Sequence, residues 1–182
     1  KGPIDLKLST FINCEKSSQF ASAFELLKIK SNHHIEYRHL NHSLKYVEMT
    51  KDLVNYFRGH ETYNVPADFS GLGYFIAFAL FNQNLNIQNV FSIDRGQADS
   101  KIFDILDMLG VEYFFDKNGL HIKKNEKFSR GIKIDGSSCI DLVPTLCFIA
   151  AYLPFESQIK NIEKLKYKES DRLVETLKIL DH

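Results

Sequence analysis

The sequence has no excess of either charge: 23 Lys and Arg stand against 23 Asp and Glu, and the formal net charge over 182 residues is zero. Broad nucleic-acid binding needs a basic field, so that class is excluded, while a small anion held by a few local cations is not. Long apolar runs are also missing. The longest, residues 74–81 and 146–153, fall well short of the roughly 20 that cross a bilayer. No signal peptide opens the chain, so a cytoplasmic protein without a membrane partner is expected. Cys14, Cys139 and Cys147 are odd in number and lack metal-ligand spacing, which predicts reduced thiols rather than a disulfide framework. Of the seven histidines, His33, His34, His39 and His42 lie close in sequence. None forms a His-x-x-x-His pair on a helical pattern, and no metal is expected. With 44% hydrophobic residues the chain can bury a core as one domain or two small ones.

What is present is a regular alternation. Residues 5–11, 34–40, 85–90, 132–134 and 158–162 read as strands. Ser17-Ser18-Gln19 caps an apolar helix through Phe20, Ala23, Phe24 and Leu27. Ser43 leads into a more charged helix with Val47, Leu53, Val54 and Phe57 inward. Ser70-Gly71-Leu72-Gly73 opens a very apolar helix. Gln97-Ala98-Asp99-Ser100 caps an amphipathic one carrying Ile102, Ile105, Leu106 and Leu109, which Gly110 ends as a C′ glycine. Residues 111–115 and 120–124 make a hairpin around Asp116-Lys117-Asn118-Gly119. Asp141-Leu142-Val143-Pro144-Thr145 starts another apolar helix. The last helix begins in Lys168-Glu169-Ser170-Asp171-Arg172 and carries Leu173, Val174, Leu177 and Leu180. Two cations and two carboxylates then crowd a first turn whose unpaired N–H groups already favour an anion.

Apolar helices starting near Ser17, Ser70 and Asp141 alternate with charged ones starting near Ser43, Gln97 and Lys168. Each pair with its strands reads as strand–helix–strand–helix followed by a hairpin, so the chain is an α/β (α+β) protein of stacked copies whose apolar helices share one interior. The first copy is short by about a hairpin.

In the same order come Ser17-Ser18-Gln19-Phe20, Ser43…Tyr46…Thr50, Ala67-Asp68-Phe69-Ser70, Gln97-Ala98-Asp99, Asp141-Leu142-Val143-Pro144-Thr145, and Leu165-Lys166-Tyr167-Lys168-Glu169-Ser170-Asp171-Arg172. Six motifs in register across almost the whole chain resemble the 5-enolpyruvylshikimate-3-phosphate synthases. The family's Lys-Ser segment, Asn-x-Gly-Thr stretch and His-Arg pair are missing, and Lys166 stands where Arg is usual. The resemblance implies an inside-out α/β barrel of β-α-β-α-β-β units, with 1–66 the latter part of a shikimate-3-phosphate-side domain and 67–182 the first part of a second. It also implies enolpyruvyl transfer from phosphoenolpyruvate to the 5-hydroxyl of shikimate 3-phosphate, domain closure around the ligands, no cofactor, and a monomer at full length. The chain alone is expected to be an inactive piece. Rivals are the sister UDP-N-acetylglucosamine enolpyruvyl transferase, disfavoured because the cysteines lie outside its reactive-loop context, and a non-catalytic binding module of the same fold.

Site residues follow from the matched positions. Ser17, Ser18, Gln19, Ser43, Tyr46, Asp141, Lys164 and Lys168 match shikimate 3-phosphate contacts. Gln19, Lys168 and Arg172 match phosphoenolpyruvate contacts, Arg172 being suited to bidentate anion binding. Asp141 is implied as base for the 5-hydroxyl and Glu169 as proton donor to the methylene carbon. Asp171 is expected to orient Arg172. Asp68 and the 97–99 segment read as structural. Without the register, Ser17–Gln19, Ser43 and Asp141 would be ordinary helix caps and Tyr46 a surface tyrosine.

Overall fold

The computed structural model describes residues 10–28, 34–40 and 44–181. The strand expected at 5–11 is therefore seen only at its end, and Ser43 lies outside the described residues. The architecture is mixed α/β. The chain divides into two compact units, Lys1–Asn64 and Val65–His182.

In the first unit β1 (Thr10–Asn13) pairs in parallel with β2 (Ile35–Arg38), and α1 (Gln19–Leu27) packs against α2 (Leu44–Tyr56). Cys14, Ala21 and Val47 form its small core with Ile12, Tyr37 and Leu40. The apolar residues that marked α1 in the sequence are not the ones it buries: Phe20, Ala23 and Leu27 are exposed, while Ala21 and Glu25 are buried. Ala21 adds little bulk between helix and strands, and Glu25 is satisfied inside by Lys28, whose Nζ donates at 2.9 Å. Burial, with Glu25 beside it, pushes the Tyr37 hydroxyl well above its ordinary value. Phe57, expected inward, is also exposed. It lies just beyond the end of α2, in edge contact with Tyr56 at 5.7 Å.

In the second unit α3 (Phe69–Phe81), β3 (Leu85–Ile87), α4 (Lys101–Leu109), β4 (Tyr113–Asp116) and β5 (Gly119–Ile122) follow in order. The strands form one antiparallel sheet in the order β3-β5-β4. Asp68 is the N-cap of α3 and accepts from the Ser70 and Gly71 N–H groups, so the helix opens earlier than the Ser70 start expected. Strand β3 stops at Ile87, short of residue 90, because Asn89 takes a left-handed φ of 64°. Gly110 ends α4 at φ 69°, as expected. Ile102, Phe103, Ile105, Leu106 and Leu109 of α4 are buried with Ile76, Leu80, Leu120 and Ile122 in one core. Each such side chain contributes up to roughly 1.5–3 kcal/mol.

The unit continues with β6 (Lys133–Asp135), α5 (Val143–Tyr152), β7 (Gln158–Lys160) and α6 (Arg172–Leu180). Strands β6 and β7 are parallel. At the end of β6 a Cβ on Gly136 would sit 2.8 Å from Ile162 and 2.9 Å from Val143. Glycine therefore lets the turn after β6 approach the turn after β7. A second cluster, Ile140, Val143 and Leu165 with Cys147, Ile162 and Leu173, fills the space beside them.

Candidate functional site

The turns after β6 and β7 carry the charged residues. Asp141 lies in a 3-10 turn (Ile140–Leu142) running straight into α5, and its neighbours Ile140 and Leu142 are buried. After β7 a second 3-10 turn (Glu163–Tyr167) is pinned by buried Leu165, and Lys168 follows it. The parallel pairing thus brings two carboxyl-terminal strand ends together, where α/β folds commonly hold ligands.

Four charged side chains meet there. Lys168 Nζ donates to Asp141, 2.8 Å from Oδ1 and 3.1 Å from Oδ2. Arg172 Nη1 donates to Asp141 Oδ1 at 3.0 Å, and its Nη2 to Glu169 Oε2 at 2.8 Å. Asp141, Lys168 and Arg172 are partly sheltered, whereas the Glu169 side chain is 74% exposed. Its own backbone N–H, then Arg172, hold the Glu169 carboxyl below its ordinary value. Lys164 is half-buried within the 3-10 turn. The cluster is two cations sharing two carboxylates, an arrangement able to hold an anion and to move protons.

Two expectations are corrected. Helix α6 begins at Arg172, not at Lys168, because Asp171 is its N-cap and accepts from the Val174 N–H at 3.1 Å. Asp171 therefore does not hold the Arg172 side chain, whose partners are Asp141 and Glu169. A short acid three residues before a helical N–H was the available signal. The sharing of Asp141 between Lys168 and Arg172 was not visible in the motifs, since it depends on the β6–β7 pairing.

In the first unit Ser17, Ser18 and Gln19 follow β1 at the start of α1. Ser17 Oγ accepts from the Gln19 N–H at 3.2 Å, while Ser18, at the N-cap position, makes no side-chain capping bond. Tyr46 is half-buried in the first turn of α2, and its carbonyl accepts from Thr50 Oγ at 2.8 Å.

The corresponding joint between α3 and α4 is closed by the chain itself. Gln97 Oε1 accepts from the Phe69 N–H at 2.9 Å, and Gln97 Nε2 donates to the Ala67 carbonyl at 2.8 Å. Ser70 Oγ donates to buried Asp99. Among the described residues no group of three His, Cys, Asp or Glu could hold a metal, and no helix is long and apolar enough to cross a membrane.

Comparison with known proteins agrees with the motif order. The profile of EPSP synthase (3-phosphoshikimate 1-carboxyvinyltransferase) matches residues 57–181. The chain is 31% identical over 185 residues to the 3-phosphoshikimate 1-carboxyvinyltransferase of Methanothrix thermoacetophila, covering 91% of this chain and 44% of that protein. It is 32% identical over 178 residues to the Clostridium acetobutylicum protein of that name, covering 86% and 40%. Against the Archaeoglobus fulgidus protein of the same name it is 36% identical over 111 residues, covering 61% and 26%. The chain spans less than half the length of these curated relatives. On the match of its residues 57–181, which carry the Asp141, Lys168, Glu169 and Arg172 cluster, the chain belongs to the EPSP synthase family.

Proposed function

We propose that this chain serves the transfer of the enolpyruvyl group from phosphoenolpyruvate to the 5-hydroxyl of shikimate 3-phosphate, with release of phosphate. The observation that carries the reading is the convergence of Asp141, Lys168, Glu169 and Arg172 at the ends of β6 and β7. Both substrates are anions, and the reaction needs one group to take the hydroxyl proton and another to protonate the methylene carbon. Asp141 is assigned the first task and contact with the shikimate ring, and Glu169 the second. In the addition the 5-oxygen bonds to C2 of the enol and C3 becomes a methyl group. In the elimination C3 loses a proton and the C2–O bond to phosphate breaks. Lys168 and Arg172 balance the anionic charge.

Ser17, Ser18 and Gln19 are assigned to the shikimate phosphate. The uncommitted capping role of Ser18 and the first-turn N–H groups of α1 support this. Ser43, Tyr46 and Lys164 complete the shikimate contacts, and Gln19 also serves phosphoenolpyruvate. The domain reading of 1–66 and 67–182 accompanies this, as does a cytoplasmic enzyme that is monomeric at full length.

The finer fold is proposed as the inside-out α/β barrel. Helices α3 and α5 are apolar nearly all round, a composition suited to burial on every side. Yet Tyr74, Phe75, Phe78, Phe148 and Tyr152 are exposed, and a groove of about 430 Å³ runs between α3, α5 and α6. A further copy of the repeat would cover that face.

The test is calorimetric titration with shikimate 3-phosphate, repeated on Ser18→Ala and Lys168→Met. Saturable binding weakened by both changes is expected. Binding that neither change alters would remove these residues from the site.

A further inference from the structure

Glu169 has been assigned proton donation, yet its surroundings keep it ionised: its backbone N–H and Arg172 both lower its pKa. The geometry of Arg172 resolves the conflict. A guanidinium grips a carboxylate or phosphate with two parallel N–H bonds. Here both terminal nitrogens are already engaged, Nη1 by Asp141 at 3.0 Å and Nη2 by Glu169 at 2.8 Å. An arriving anion that takes this Nη1–Nη2 edge therefore competes with Asp141 and Glu169 for it.

The two are not held equally. Asp141 is three-quarters covered and has a second cation, Lys168, at 2.8 Å. Glu169 is largely exposed and meets Arg172 through an i,i+3 pair within one segment. Exposed pairs of this kind are weak. Asp141 therefore stays and Glu169 goes.

We propose that Glu169 is a built-in stand-in for the substrate anion, displaced from Arg172 when phosphoenolpyruvate binds and thereby readied to take up the proton it delivers. This rests on the reading above for the identity of the anion. Displacement removes the Arg172 interaction and brings a negative group close by, and both changes raise the affinity of Glu169 for a proton. The charged groups acting on its carboxylate are Arg172 and Lys168, with Asp141 on the far side of Arg172. The proton comes from solvent. Binding consequently takes up protons and tightens as pH falls toward the ordinary carboxylate range.

The experiment is calorimetry of phosphoenolpyruvate binding to the full chain with shikimate 3-phosphate present, at about pH 5 in two buffers of different ionisation enthalpy. It is run on wild type and Glu169→Gln. The expected result is proton uptake by wild type that the variant lacks, with the variant binding about two- to fivefold tighter because the internal competitor is gone. Binding by the variant alone supports the proposal in its strongest form. Wild-type binding without proton uptake, or a variant that binds equally or more weakly, overturns the stand-in role and leaves the functional reading in place. Absence of binding in both proteins overturns the two together.

Discussion

Lys168 Nζ lies 2.8 Å from Asp141 Oδ1, across 27 residues of sequence and between the ends of two parallel strands. The side chains are 22% and 25% exposed, sheltered but not dry. Such a pair acts as a charge-assisted hydrogen bond, not as a fully desolvated bridge. Asp141→Asn should cost roughly 1–2 kcal/mol in urea unfolding, since two cations lose their shared partner. Binding of inorganic phosphate should meanwhile strengthen, because the cluster gains net positive charge. Weaker phosphate binding by the variant would show that Lys168 and Arg172 do not form the anion grip.

Asp171 starts α6, and its carboxylate accepts from the Val174 N–H. Asp171→Ala should lower stability by about 1 kcal/mol, and Asp171→Asn should restore most of it because asparagine caps as well as aspartate. Equal losses in the two variants, read by urea unfolding, would mean that the charge matters and the cap does not.

Burial, with Asp99 adding to it, pushes the Cys139 thiol up to about 11 from an ordinary 9.0. The folded value lies above the unfolded one. Its stabilising contribution is therefore complete below about pH 9 and is lost as pH rises toward about 11. Between about pH 8 and pH 10 wild type should lose on the order of 1 kcal/mol more than Cys139→Ala. Parallel pH profiles for the two proteins would refute this. Tyr113, pushed up to about 12 by burial and then Asp107, adds its own loss at higher pH in both proteins.

The apolar groove can be tested without any substrate. Tyr74→Lys with Phe148→Lys should change folding stability by about 0.5 kcal/mol or less, as both side chains are exposed. Binding of an apolar dye should fall, since both side chains line the apolar groove between α3, α5 and α6. A loss of several kcal/mol would mean that the two rings already pack inside the core.

The members of the charged cluster were legible in the sequence, because the Lys-Glu-Ser-Asp-Arg block and the Asp141 turn are runs of unusual chemistry. Which oxygen meets which nitrogen was not, since β6 and β7 must first pair. Helix starts were misread for a local reason. Asp68 and Asp171 cap α3 and α6 with side chains short enough to reach backbone N–H groups, while Ser70 and Lys168 looked equally plausible as openings. The stripe Phe20, Ala23, Phe24 and Leu27 had a helix's spacing, yet α1 turns Ala21 and Glu25 inward. Periodicity finds an apolar side, and a polar residue paired with Lys28 can displace it.

The α3–α4 joint, where Gln97 and Asp99 tie down the start of α3 from inside, has a consequence for how helix starts are held in this fold. It shows that a pair of helix starts can be fastened with groups that need no visitor. The start of α3 is thus fastened by an amide and a buried carboxylate, whereas the joint at Asp141 is fastened by two cations.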